Sequence, residues 1–128
     1  MITTPISVGE LIDKLSILQV KKNNIKDQIK LVEVKKEFDA LNEISKVYLG
    51  DKDIFNIYDD LVITNSKLWN IEDEIRVCEK NKKFDDKFVE LARAVYFTND
   101  ERFEIKNKIN QVAGSEIQEQ KSYEDYKN

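Results

Sequence analysis

IFNIYDDLVITNSKLWNIEDEIRVCE, residues 54–79, and DKFVELARAVYFTNDERFEIKNKINQVA, residues 86–113, decide the fold. Each stretch repeats apolar residues at three- and four-residue intervals, the period of one helix face. In the first the stripe is Ile54, Ile57, Tyr58, Leu61, Leu68, Ile71 and Ile75. In the second it is Phe88, Leu91, Ala92, Val95, Tyr96, Ile109 and Ala113. Between them KNKKFDD supplies a polar break with Asp85 as N-cap, and Gly114 supplies the stop. At a rise of 1.5 Å per residue each helix runs about 40 Å, so an antiparallel hairpin spans the domain.

Working outward, Ser7 stands three residues before Glu10 in a capping-box arrangement, which starts a helix at Val8. Its stripe is Val8, Leu11, Ile12, Leu15, Leu18 and Ile25. Asp27 caps a second helix with the stripe Leu31, Val34, Phe38, Leu41, Ile44 and Tyr48, which Gly50 ends as a left-handed terminator. The join between these two helices reads as a tight hairpin or as one bent helix. Asp51 or Asp53 caps the first long helix. The expected fold is all-α: a long hairpin packed with a shorter N-terminal pair, like a four-helix bundle. The chain reads as one domain over 1–128, with 115–128 a polar tail, extended or partly docked.

Composition agrees. Of 128 residues, 36% are charged and 41% hydrophobic, with three Gly and one Pro, too few turn residues for a sheet fold. The absence of histidine removes the commonest general base and metal ligand. Cys78 alone can form no internal disulfide and reads as a packing residue. With no membrane-span-length apolar run and no secretory signal pattern, the expected location is the cytoplasm and the expected start Met1. No membrane partner is expected.

The net charge of −4 gives no general attraction to nucleic acid. Residues 21–36 hold six Lys against two acids, yet no aromatic residues interleave them, so the Lys22, Lys26, Lys30 series reads first as a solvated face. A nucleic-acid role is not expected. Glu72, Asp73 and Glu74 are consecutive and point about 100° apart, which suits no metal site; no metal or cofactor is expected.

The unusual chemistry lies inside the two stripes. Asn65 and Glu72 fall at the centre of the first and Asn99 and Lys106 near the middle of the second. An antiparallel register through residues 80–85 sets Glu72 near Arg93, and Asn65 near Asn99 and Asp100. Three readings stand: a polar network that fixes the register, a pocket in which Arg93, Arg102 and Lys106 engage an anion with Glu72 or Asp100 as acceptor or base, or outward groups serving an interface. Trp69, beside Asn65 and Glu72, is a core residue or a stacking platform. Glu10, Asp13 and Lys14 read as a cap and exposed charges.

The stretches SVGELIDKLSIL, LWNIEDEIR, FVELARAVYFTNDER and EQKSYEDY, in this order, resemble a family of small bacterial and phage-borne proteins classed as a domain of unknown function. The likeness runs from Ser7 to Tyr126 and is weakest between Ile44 and Leu61. It implies an all-helical fold, no established activity, and an accessory role beside surface-polysaccharide and glycosyl-transfer enzymes. Its motifs include Asn65, Trp69, Glu72, Asp73, Arg93, Tyr96, Asn99, Asp100 and Arg102, and the tail trio Lys121, Ser122 and Tyr123. It also implies that the tail packs on the hairpin. The leading functional expectation is a non-enzymatic interaction or accessory module whose partner is another protein or a second copy. The alternative is a binder or enzyme for an anionic small molecule, a sugar phosphate or nucleotide.

Overall fold

The computed structural model describes residues 1–127; Asn128, the last residue of the tail, lies outside the described residues. Four helices follow one another: α1 (Val8–Asn24), α2 (Gln28–Leu49), α3 (Lys52–Lys80) and α4 (Asp86–Ala113), with no strand among the described residues. The fold is all-α, and α3 and α4 pack most extensively, as the long hairpin requires. The α1–α2 join is a true break: Ile25 leaves helical geometry and the Asp27 carboxylate accepts from the N–H groups of Ile29 and Lys30. Asp51 and Asp85 cap α3 and α4 in the same way.

Gly50 corrects the expected left-handed stop, because its φ is −67° and it remains right-handed while its N–H bonds to Lys46 and Tyr48. Gly114 is left-handed, at φ 64°. Space at Gly114 is open, so a methyl group there meets only the backbone cost of that conformation. Gly114→Ala is therefore expected to lower the unfolding free energy by about 1 kcal/mol in urea titrations, and Gly114→Asn by less.

The helix at the centre is α1, not the hairpin. Gly9, Leu11, Ile12, Asp13, Leu15, Ser16, Leu18 and Val20 are all buried, so α1 buries nearly its whole circumference through its first three turns. It lies antiparallel to α4, since Gly9 meets Asn110, Glu10 meets Lys106 and Asp13 meets Arg102, and hence parallel to α3, the other arm of the hairpin, which it touches where Asp13 and Ser16 meet Asn65. Ile12, Ile54, Leu61 and Ile109 form the apolar core, flanked by Val8, Tyr48, Ile57, Tyr58 and Ile105. That core sits toward the end where α1 and α3 begin and α4 ends. Beyond it, the centre of the bundle turns polar.

The first turn of α1 is closed by side chains. Val8 N–H donates to Ser115 Oγ at 3.2 Å, Gly9 N–H to Asn110 Oδ1 at 2.6 Å and Glu10 N–H to Ser7 Oγ at 3.0 Å. All three free donors of the helix start are thereby satisfied, two of them from the far end of the chain. Asn110 Nδ2 is the one buried side-chain polar atom among the described residues with no hydrogen-bond partner.

Two expected inward positions face out. Ile44 is 59% exposed because Ser45 takes the inner place in α2, and Tyr96 is 43% exposed because it packs on the tail instead of the hairpin interior.

Candidate functional site

The polar centre is built around Asp13, whose side chain is 0% exposed. Arg102 reaches it from α4 in a two-pronged pair, Nε to Oδ1 at 2.9 Å and Nη2 to Oδ2 at 2.5 Å. Asn65 reaches it from α3, with Nδ2 donating to Asp13 Oδ1 at 3.0 Å and to Ser16 Oγ at 2.8 Å. A carboxylate can only accept here, so the Asn65 amide nitrogen must face Asp13 and its carbonyl must face away. This corrects two expectations. Asp13 is no exposed charge, and Asn65 pairs across to α1 instead of to Asn99 and Asp100.

The remaining polar residues of the hairpin also part from the simple register. Glu72, 41% exposed at its side chain, pairs with Arg76 one turn along its own helix, while Arg93 lies exposed over the ring of Phe97 at 5.4 Å. No ion pair joins Glu72 to Arg93 among the described residues. The reason is geometric: α1 packs against both α3 and α4, so Asn65, Arg102 and Lys106 meet α1, while Arg93 stands on an exposed face of α4. Asn99 is half-buried and its Oδ1 lies 3.5 Å from Arg102 Nη1, a weak contact.

Lys106 is one turn beyond Arg102 on α4 and 7% exposed at its side chain, held by Glu10 at 2.6 Å and by Glu119 of the tail at 2.7 Å. Burial pulls its pKa down, but the bonds to Glu10 and Glu119 outweigh that and leave it raised. The hydrogen bond to Asp13 raises Arg102 in the same way, against burial. Glu10 thus serves Lys106 instead of completing the capping box, and only Lys14 of the expected exposed charges stays in solvent.

The tail runs back along α4. Glu119 meets Lys106, Lys121 meets Asp100, and the Tyr126 hydroxyl donates to the other oxygen of Asp100 while its ring packs edge-on against Tyr96 and Phe97. Lys121 also stands over the rings of Phe103 and Tyr123 at 5.3 and 5.6 Å. Ser122 and Tyr123 themselves are exposed. Bonds from Lys121, then Tyr126, hold the Asp100 carboxyl below its ordinary range, and the bond to Asp100 pushes the Tyr126 phenol up to about 12.

A depressed carboxyl stabilises the docked tail above its unfolded value and loses that as pH falls through its folded value. A raised phenol stabilises it below 10.0 and loses that as pH rises through about 12. Spectrophotometric titration should therefore show two of the five tyrosines ionising late, Tyr58 because burial pushes it to about 12 and Tyr126 because of Asp100. In Asp100→Asn one of the two should return toward 10, and tail amides should exchange faster.

Two clefts flank Arg102. One, about 530 Å³, opens between α1, α3 and α4 and is bordered by Lys21, Asn65, Trp69, Glu72, Asp73, Arg76, Asn99 and Arg102. The other, about 600 Å³, opens between α4 and the tail and is bordered by Tyr96, Asn99, Asp100, Arg102, Lys106 and Lys121–Tyr123. Asn99 and Arg102 border both. The sequence-derived candidates thus divide between two adjoining clefts, with Arg93 outside them. Asp13, Ser16, Lys21 and Arg76 were not among them. Gly9, Asp13, Ser16 and Val20 recur at four, three and four residues, a second stripe on the first helix that marks it as buried on more than one side.

Fold and site define an all-α bundle with a charged, hydrogen-bonded centre open to solvent on two sides. The chain belongs to the family of unknown function DUF6165, whose model matches residues 2–127. No curated protein and no solved structure matches it. No helix of the described residues is long and apolar enough to cross a membrane, and no group of three or more potential metal-ligating side chains gathers among them.

Proposed function

We propose that this protein is a binding module for a hydroxyl-bearing anionic small molecule, a sugar phosphate in its simplest form, taken up in the cleft between α1, α3 and α4. One observation carries the reading: Arg102 is fixed by Asp13 yet retains hydrogen-bonding capacity at the cleft. A guanidinium has five N–H donors. Two are committed to Asp13 and one reaches weakly to Asn99, which leaves two without a partner among the described residues. The Asn65 carbonyl, turned away from Asp13, likewise accepts nothing among the described residues.

The rest of the cleft suits such a ligand. Trp69 gives a half-buried flat apolar wall, and Asn99 and Asp73 offer the mixed donors and acceptors that hydroxyl groups need. Lys21 adds positive charge at the rim, where Arg76 is paired with Glu72. Burying a charged pair where apolar side chains would pack is of little benefit to stability alone, so a pair facing a cleft points to a ligand. Asp13 is committed to Arg102 and Asn65, so it sets the shape of the site and is not placed to move a proton.

Trp69 is the only tryptophan, so intrinsic fluorescence reports on this cleft. Titration with hexose phosphates, nucleotides and the parent sugars should change its emission for the phosphorylated sugars, and at a hundredfold excess over Kd the ligand should add about 2.7 kcal/mol to stability. Arg102→Gln should abolish the response while Arg93→Gln leaves it intact. An emission unchanged by every compound at millimolar concentration, or a response that survives Arg102→Gln, overturns the proposal.

A further inference from the structure

Lys106 holds one carboxylate more than charge balance requires. Within the bundle Asp13 answers Arg102 and Glu10 answers Lys106, and on the flank of α4 Lys121 answers Asp100. Glu119 is the surplus acid, 2.7 Å from Lys106 Nζ. Its charge is felt by Arg102 as well, whose guanidinium is raised first by the bond to Asp13 and then, against burial, by the charges of Asp13, Glu10 and Glu119. An ammonium has three N–H donors and no acceptor. Glu10 takes one from inside the bundle, and Glu119 takes another from the cleft of about 600 Å³ between α4 and the tail.

Glu119 is held by little besides that bond. Residues 116–120 are all exposed and form neither helix nor strand, and the Glu119 side chain is itself 41% exposed. The next attachments of the tail, Lys121 and Tyr126, grip Asp100, which is six residues from Lys106 and so about 120° around α4. Glu119 can therefore swing into water while the tail stays fastened. The cleft is far larger than one carboxylate needs, and Phe103 and Tyr96 give it a flat apolar wall.

We infer that a phosphoryl group binds Lys106 in the cleft between α4 and the tail, exchanging places with the Glu119 carboxylate. A phosphate monoester carries about two negative charges and three acceptor oxygens, where a carboxylate brings one charge and two oxygens. Beside Lys106 and Arg102 the exchange therefore favours the phosphate. Glu119 is a competitor built into the chain, and it sets a concentration below which the site stays closed. The inference goes beyond the sugar phosphate reading and does not rest on the occupant of the Trp69 cleft.

NMR titration of the isotope-labelled full chain with inorganic phosphate and with phenyl phosphate, at constant ionic strength, tests this. Amide signals of residues 116–120 should shift together with those around Lys106, while those around Tyr126 stay in place. Glu119→Gln removes the competing charge at a surface position and should tighten binding by about fivefold, the worth of a partly exposed ion pair. Equal affinity for the two probes identifies the free anion as the ligand, and tighter binding of phenyl phosphate identifies an ester whose body lies on the aromatic wall. No saturable shift in Glu119→Gln at tens of millimolar of either probe, or equal affinity in wild type and Glu119→Gln, overturns the inference. So does a response confined to residues beside Trp69, which does not border this cleft and would respond alone if only the proposed function held.

Discussion

Asp13→Ala is expected to lower the unfolding free energy by about 3–5 kcal/mol, the cost of removing one partner of a buried ion pair. The loss is large because two groups depend on one carboxylate: Arg102 donates to it twice and Asn65 once, while Ser16 bonds the Asp13 main-chain carbonyl and Asn65. Without it the Arg102 charge, half-buried, keeps only the more distant carboxylates of Glu10 and Glu119, and the Asn65 amide loses one of its two acceptors. Asp13→Asn should cost nearly as much although it keeps the volume, since its amide turns a donor toward two other donors. That comparison separates charge from packing. With total stabilities of 5–15 kcal/mol in domains of this size, either variant should shift the urea midpoint visibly, and a loss under about 1 kcal/mol for both would refute the pairing.

The second large effect is expected at Gly9. A Cβ there would lie 2.4 Å from the backbone oxygen of Lys106 and 2.9 Å from Asn110 Oδ1. Neither neighbour can yield cheaply, because the carbonyl belongs to the backbone of α4 and Asn110 Oδ1 accepts the Gly9 N–H. The methyl group must push α1 away from α4, and Gly9→Ala should cost about 2–3 kcal/mol despite the better helix propensity of alanine. The same substitution at Gly114 meets open space, so the contrast between them measures close approach against backbone conformation. Because Gly9 lies one turn before Asp13, Gly9→Ala should also blunt the Trp69 response to sugar phosphates.

Much of this architecture is legible in the chain. Caps at Ser7, Asp27, Asp51 and Asp85 and the stop at Gly114 mark the helix boundaries, because each satisfies backbone groups locally. The interruptions at Asn65 and Lys106 are legible too, since polar residues within an apolar stripe must find partners. Which partners they find is not. Periodicity ranks the faces of one helix but says nothing of which helix packs on which, so pairing α3 directly with α4 overlooks α1, which packs against both. The burial of Asp13 is not legible because its neighbours Leu11, Ile12 and Leu15 define one stripe so clearly that the second, through Gly9, Ser16 and Val20, passes for solvent-facing. The outward position of Tyr96 follows from the tail, whose contacts with α4 join residues without helical spacing.

The ligand reading and the stability reading meet at Arg102, which is both the counter-ion of Asp13 and the only guanidinium bordering both clefts. A double-mutant cycle of Asp13→Ala and Arg102→Ala on unfolding free energy therefore bears most directly on the polar centre. A coupling of about 2 kcal/mol is expected, so that Asp13→Ala costs only about 1–3 kcal/mol once Arg102 is alanine. Losses that add to within about 0.5 kcal/mol would mean that the two side chains do not support one another, and the centre described here would not exist.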